Sequence, residues 1–157
     1  MSKTINEIFD NDELKNAKVL EVNRFESVYL ENNGKKQFKV GALPNEAQVS
    51  KIFTFHATDV NQDGNLDVLL GGNFYGVSMY QGRYDASYGL LLQGNGKGTF
   101  RAILPTSSGF LLEGEIRDIK PLKTASGLIY LVARNNAPLQ VFRPKKQGAL
   151  FTASAGK

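Results

Sequence analysis

Asp59-Val-Asn61-Gln-Asp63-Gly64-Asn65-Leu-Asp67 decides how this chain is read. Oxygen-bearing side chains stand at positions 1, 3, 5 and 9 of the stretch, with glycine at position 6. A hard cation such as calcium takes about six to eight oxygens at roughly 2.3–2.6 Å, and alternating side chains on a tightly turned loop converge on one point. Gly64 permits the sharp turn without a Cβ penalty. Asp59, Asp63 and Asp67 bring three negative charges, Asn61 a neutral oxygen, and Asn65 a backbone carbonyl at position 7. The pattern predicts a calcium loop; the plain alternative is a metal-free Asp/Asn/Gly turn.

An EF-hand is excluded, because its twelfth position needs a bidentate Glu and here falls on Leu70. The flanks point the same way. Lys51-Ile-Phe-Thr-Phe-His56 and Leu66-Asp-Val-Leu-Leu70 are rich in β-formers, so the loop joins two strands and Asp67 closes the cage from the start of the second.

Outward from this corner the chain reads as short strands punctuated by Gly, Asn and Asp. Strands are predicted near 27–31, 37–40, 52–58, 66–71, 88–92, 99–104, 113–119, 127–133 and 138–142. Asn32-Asn33-Gly34 and Gly94-Asn-Gly-Lys-Gly98 read as hairpin turns; the second lacks the helix and the Gly-Lys-Ser/Thr ending of a phosphate loop. The opening differs. Thr4 and Glu7 fit a capping box, and Ile5, Ile8, Phe9 and Leu14 recur at helical spacing, which predicts a short helix placed to cover a sheet edge. Helical pattern is not expected again beyond about Val19, so a parallel βαβ sheet is disfavoured and an antiparallel all-β fold expected.

Internal repetition refines this. Glu31–Val40 resembles Gln93–Ala102 at an offset of 62, and Gly71-Gly-Asn73 resembles Ala133-Arg-Asn135 at the same offset. Thr54–Asp59 aligns with Glu113–Asp118 at an offset of 59. About four strands in about 60 residues match a propeller blade carrying an insertion. The expected architecture is therefore a partial β-propeller of about two antiparallel four-stranded blades with a short N-terminal helix. Its parts are a helical segment (1–20), the end of one blade plus the calcium-loop blade (26–104) and a second, degenerate blade (113–152), all in one domain or fragment over 1–157.

Phe55–Asn73 resembles an FG-GAP/VCBS repeat, the calcium-loop blade of integrin-α-like propellers, and the whole resembles the C-terminal part of a larger VCBS-repeat protein. The resemblance implies calcium held at Asp59, Asn61, Asp63, Asn65 and Asp67, and an extracellular or cell-surface protein serving in adhesion or recognition. In the second blade, Asp118-Ile-Lys120-Pro-Leu122 puts Lys and Leu where oxygens are needed, so no metal is expected there. Two blades and a fraction cannot close a ring. The expected partners are the remaining blades of a larger chain, or other copies joined through exposed strand edges.

The insertion Phe74–Ser87 holds Tyr75, Tyr80, Arg83, Tyr84 and Asp85, residue types that anchor interfaces and would suit a protein or glycan ligand. The bland reading has these rings packing the insertion onto the blade, with Arg83 and Asp85 in local hydrogen bonds. Composition excludes much else. There is no Cys and one His, His56, so thiolate chemistry is absent and His56 reads as a structural mid-strand residue. Residues 1–118 carry 12 basic and 15 acidic residues, and residues 119–157 carry 7 basic and none acidic, without the aromatic interleaving of a nucleic-acid groove. No stretch approaches the roughly 20 apolar residues of a membrane span, and the first residues lack a signal-peptide pattern. The module is expected to be non-enzymatic. Glu113, Glu115 and Asp118 could form an acid/base group, the two glutamates being predicted to share a strand face. The rival is a propeller-based polysaccharide lyase or hydrolase using Glu113, Glu115 or Arg83.

Overall fold

In the computed structural model, residues 4–80, 82–145 and 150–155 are described. Two antiparallel meanders dominate: β3 (Ile52–Thr58), β4 (Asp67–Gly72), β5 (Leu90–Gly94) and β6 (Phe100–Ile103), then β7 (Ile116–Thr124), β8 (Gly127–Arg134), β9 (Ala137–Pro144) and β10 (Phe151–Ala155). A hairpin of β1 (Val28–Asn32) and β2 (Phe38–Ala42) precedes them. The architecture is mostly β and antiparallel, as expected.

The turns explain the pairing. Asn32 Oδ1 accepts the Gly34 N–H at 2.9 Å, and Asn95 Oδ1 accepts those of Lys97 and Thr99 at 2.9 and 3.2 Å. Asn side chains reproduce a backbone turn in this way. The offset of 62 superposes β1–β2 on β5–β6 and Asn73 on Asn135, each Asn standing just after the second strand of its sheet.

The sheets are held by a shared core. Leu69 and Leu91 from the first meet Ile116, Ile119, Tyr130, Val132, Phe142 and Phe151 from the second, with Phe110 and Leu112 between them. Each such side chain contributes roughly 1.5–3 kcal/mol by leaving water. The approach is closest at β7, which packs on β3 and β4. A Cβ on Gly71 would lie 2.5 Å from Ile116 Cγ2, so only glycine fits there. Polar links between strands also cross the interface, Thr58 Oγ1 to the Tyr130 hydroxyl at 3.2 Å and Thr54 Oγ1 to Asp118 Oδ1 at 3.4 Å.

The opposite face of the first sheet carries a smaller cluster, Ala47, Leu70, Leu90 and Leu92. The β1–β2 hairpin reaches this side through Tyr29, edge-on to Phe100 at 5.4 Å, and leaves an open groove of about 880 Å³ beside β1.

Several expectations are corrected. The N-terminal helix is two separate short turns, a 3-10 turn at Ile5–Glu7 and α1 (Asn11–Leu14), each closed by a Glu carboxylate accepting an N–H at 3.0 Å (Glu7 from Thr4, Glu13 from Asp10). Ile5, Ile8 and Phe9 are exposed, so the segment covers no sheet edge; a helix with nothing to bury its apolar stripe against does not propagate. Helix returns after residue 19, in a 3-10 turn at Asn45–Ala47 and in α2 (Pro105–Ser108), the latter started by proline and stopped by Gly109 at φ 75°. Asp118 lies within β7 at a register shift, so the offset of 59 is not a structural equivalence. The true counterpart of the 59–66 corner is the turn Ala125-Ser126. Glu113 precedes β7 and is exposed, whereas Glu115 is buried; Gly114, at φ 94°, breaks the alternation that would have put both on one face.

Candidate functional site

The corner between β3 and β4 is wound by its own acceptors. Asp59 accepts the N–H of Asp63 on Oδ1 at 3.1 Å and that of Gly64 on Oδ2 at 2.9 Å. Asn61 Oδ1 shares the Asp63 N–H at 3.1 Å, while its amide donates to Asp63 Oδ2 at 2.8 Å. Asp63 Oδ1 accepts the Asn65 N–H at 2.8 Å. Gln62 and Gly64 both have positive φ, 62° and 86°, which turns the chain tightly enough for these contacts.

Asp67 stands behind the loop. It is 1% exposed, and its two oxygens accept the N–H of Val60 and of Gly94, each at 3.0 Å. It thereby ties the loop to the end of β5. A carboxylate offers about four acceptor sites, so these two bonds leave capacity on both oxygens. Asn65 packs its side chain against Gly96 in the β5–β6 turn, which leaves its carbonyl as the group to offer a ligand.

Three carboxylates share this corner, and among the described residues none is ion-paired to Lys or Arg. Asp63 is held below its ordinary pKa by the Asn65 N–H first and the Asn61 amide second. Asp59, Asn61 and Asp63 are brought together, whereas Asp67 reaches the corner from beneath. Among the described residues no three His, Asp or Glu side chains converge as a ready-made metal cage. The donor set is all oxygen, the kind a hard cation takes.

The 74–87 insertion is a second feature. Phe74 and Tyr84 exchange backbone hydrogen bonds at 2.8 and 3.0 Å, pinching the segment into a loop. Lys51 Nζ lies 4.9 Å from the Phe74 ring and 5.1 Å from the Tyr84 ring, and Arg83 lies 4.9 Å from the Tyr75 ring. Arg83 therefore stacks on Tyr75; among the described residues it forms no ion pair with Asp85. Tyr80 is 98% exposed.

Beneath the insertion lies a polar knot that links the sheets. Buried Glu115 accepts the Tyr75 N–H at 2.8 Å, the Arg117 guanidinium at 2.9 Å and the Asn135 amide at 2.6 Å. Asn73 donates to the carbonyls of Ser87 and Gly114 at 2.7 and 3.0 Å. The Asn135 amide first, then the Tyr75 N–H and Arg117, hold the Glu115 carboxyl below its ordinary range against the opposing effect of burial. A carboxylate ringed by donors is fixed as an acceptor, which accounts for Glu115 structurally. Arg117 also lies 4.5 Å from the Phe53 ring. The sequence did not anticipate the contacts of Lys51 and Arg117 with the Phe74, Tyr84 and Phe53 rings, whose partners lie more than 20 residues apart along the chain. Mid-strand His56 sits 5.6 Å from the Tyr130 ring, its pKa pushed down by burial and then by Lys120. Among the described residues no helix is long and apolar enough to cross a membrane.

Comparison with family models, curated proteins and solved structures gives no match.

Proposed function

We propose that this chain is a non-enzymatic, calcium-stabilised module of FG-GAP/VCBS type, a partial propeller of about two blades that serves in protein or glycan recognition at an extracellular or cell-surface location. The observation that carries the reading is the 59–67 corner: oxygen donors at loop spacing, three carboxylates without ion pairs among the described residues, set between the first two strands of a four-stranded meander. The packing of β7 against β3 and β4 supports the blade arrangement, since neighbouring blades of a propeller meet face to face.

Asp59, Asn61, Asp63, Asp67 and the Asn65 carbonyl would hold the ion. Bound there, calcium supplies charge neutralisation for three acids. The residues themselves position the loop: Asp59 gathers the N–H groups of Asp63 and Gly64, and Asp67 anchors the corner to Val60 and Gly94. The recognition surface is the insertion tip, where Tyr80 is exposed and the same loop carries Tyr75, Arg83, Tyr84 and Asp85. Rigid rings with polar tips offer contact area at small entropic cost.

Thermal melting in EDTA and in millimolar calcium tests the metal. A ligand that binds only the folded form adds about 2.7 kcal/mol at a hundredfold excess over its dissociation constant. The midpoint should rise in calcium and the rise should vanish in Asp63→Ala. An unchanged midpoint would reduce the corner to an ordinary turn. Glycan and protein arrays probed with wild type and Tyr80→Ala test the recognition surface, and binding indifferent to Tyr80 would place it elsewhere.

A further inference from the structure

Residues 18–26, Lys-Val-Leu-Glu-Val-Asn-Arg-Phe-Glu, lead into β1 and, among the described residues, form no helix, strand or backbone hydrogen bond. Yet they are composed like a strand, and their apolar side chains face solvent: Val19 is 78% exposed, Leu20 77%, Val22 64% and Phe25 88%. An uncovered run of this kind on a folded chain marks an interaction segment.

A matching vacancy lies next to it. Among the described residues β1 pairs only with β2, so its other edge offers free N–H and C=O groups. The open groove beside β1 is lined by Val28 and Leu30 from that strand, by nothing from β2, and by Ile52, Phe55, Val68 and Leu92 from the first sheet. Leu30 is 54% exposed and Phe55 69% exposed. A free strand edge over an apolar floor is a template for an added strand, with main-chain bonds giving affinity and the floor taking alternate side chains.

The arm is not built to fold back onto its own β1. The Ser27 carbonyl accepts the Leu43 N–H at 3.1 Å, so Ser27 already continues the β1–β2 ladder, and its N–H is clamped by Gln48 Oε1 at 2.7 Å. Any reversal must therefore fall before Ser27. Of residues 23–26 only Asn23 is a turn-forming type, and none of the four has the positive φ that a two-residue hairpin requires. Between copies the obstacle disappears. Lys18, Glu21, Arg24 and Glu26 balance in charge, so like arms do not repel.

We infer that two copies of this chain exchange their arms: residues 18–25 of one add as a strand to the free edge of β1 in the other, laying apolar side chains over the groove. The exchange is reciprocal, which closes a two-fold dimer and leaves no open end for a fibre. Gly64, Asn65 and Leu66 line one side of the groove, but neither the arm nor the β1 edge includes a residue of the corner, so the inference does not rest on the metal reading.

Sedimentation velocity of the full chain in EDTA, over a series of concentrations, tests this apart from calcium. Wild type should show a concentration-dependent dimer. Val22→Asp in the arm and Leu30→Lys at the groove, both at exposed positions and both checked for an unchanged circular dichroism spectrum, should each weaken it by at least about tenfold. Amide exchange should protect residues 18–25 in the dimer and leave them fast in the monomer. A wild type that stays monomeric, a dimer indifferent to both substitutions, or an arm already protected in the monomer would each overturn the inference.

Discussion

In the sheet β3–β6 the first corner, residues 59–66, carries two of the three acids of the candidate site, and the next connection, residues 73–89, carries the exposed tyrosines. In the sheet β7–β10 the matching corners are Ala125-Ser126 and Asn135-Asn136. Strand order and direction are otherwise the same. The difference separates two uses of one topology. At these two corners the second sheet turns tightly, and it supplies most of the shared core. The longer connections of the first sheet carry the exposed Asp63 and Tyr80 as well as the buried Val60. Chemistry is therefore expected at the long corners, and stability at the strands that face each other.

Breaking the shared side of the comparison should have the largest effect. Phe142 is fully buried and packs its ring, tilted by 57°, against that of Phe110 at a centroid separation of 4.8 Å. Phe142→Ala is expected to cost about 3–5 kcal/mol in urea unfolding. Both sheets should melt in one transition, because the core is common to them. Separate transitions would show that the sheets are energetically independent.

Next in size is the difference between two acids of one corner. In EDTA, Asp67→Ala leaves the Val60 and Gly94 N–H groups without their acceptor, at about 1–3 kcal/mol for each buried donor left unsatisfied. Asp63 is exposed, and Asp63→Ala in EDTA should cost about 0.5 kcal/mol. Equal losses measured by denaturant unfolding would contradict the separate roles given to the two residues.

A smaller effect concerns the knot between the sheets. Because the folded-state pKa of Glu115 lies below its ordinary 4.5, its contribution to stability is present above that value. That contribution is lost as pH falls through the folded pKa. Stability measured from neutral to acid pH should therefore fall less steeply in Glu115→Gln than in wild type. Parallel curves would mean that the three hydrogen bonds do not favour the ionised form.

Much of this fold was legible because turns are local. Asn32-Asn33-Gly34 and Asn95-Gly96 declare their hairpins through side-chain-to-backbone bonds that need no distant partner. The offset of 62 succeeds for the same reason, aligning turn with turn. The offset of 59 fails because it aligned a loop acid with one inside β7, where a register shift and a shortened corner had changed the spacing. α2 has too few residues for a helical period to show, and only Pro105 and Gly109 mark its ends. β10, whose sequence from Phe151 carries two small residues in Ala153 and Ala155, gave no strand pattern of its own and is paired by β9. The loop residues Asp59, Asn61 and Asp63 are close in sequence and come together. The setting of Asp67 against Gly94, and of Lys51 against Phe74 and Tyr84, depends on tertiary contacts that no local pattern records.

Isothermal titration of calcium into the metal-free chain tests the central claim most directly, with Asp63→Ala and, from the corresponding corner of the second sheet, Ser126→Ala run alongside. The account predicts one saturable site in wild type, kept in Ser126→Ala and lost in Asp63→Ala. No binding heat in wild type together with an unshifted melting midpoint, or binding that survives Asp63→Ala, would contradict it.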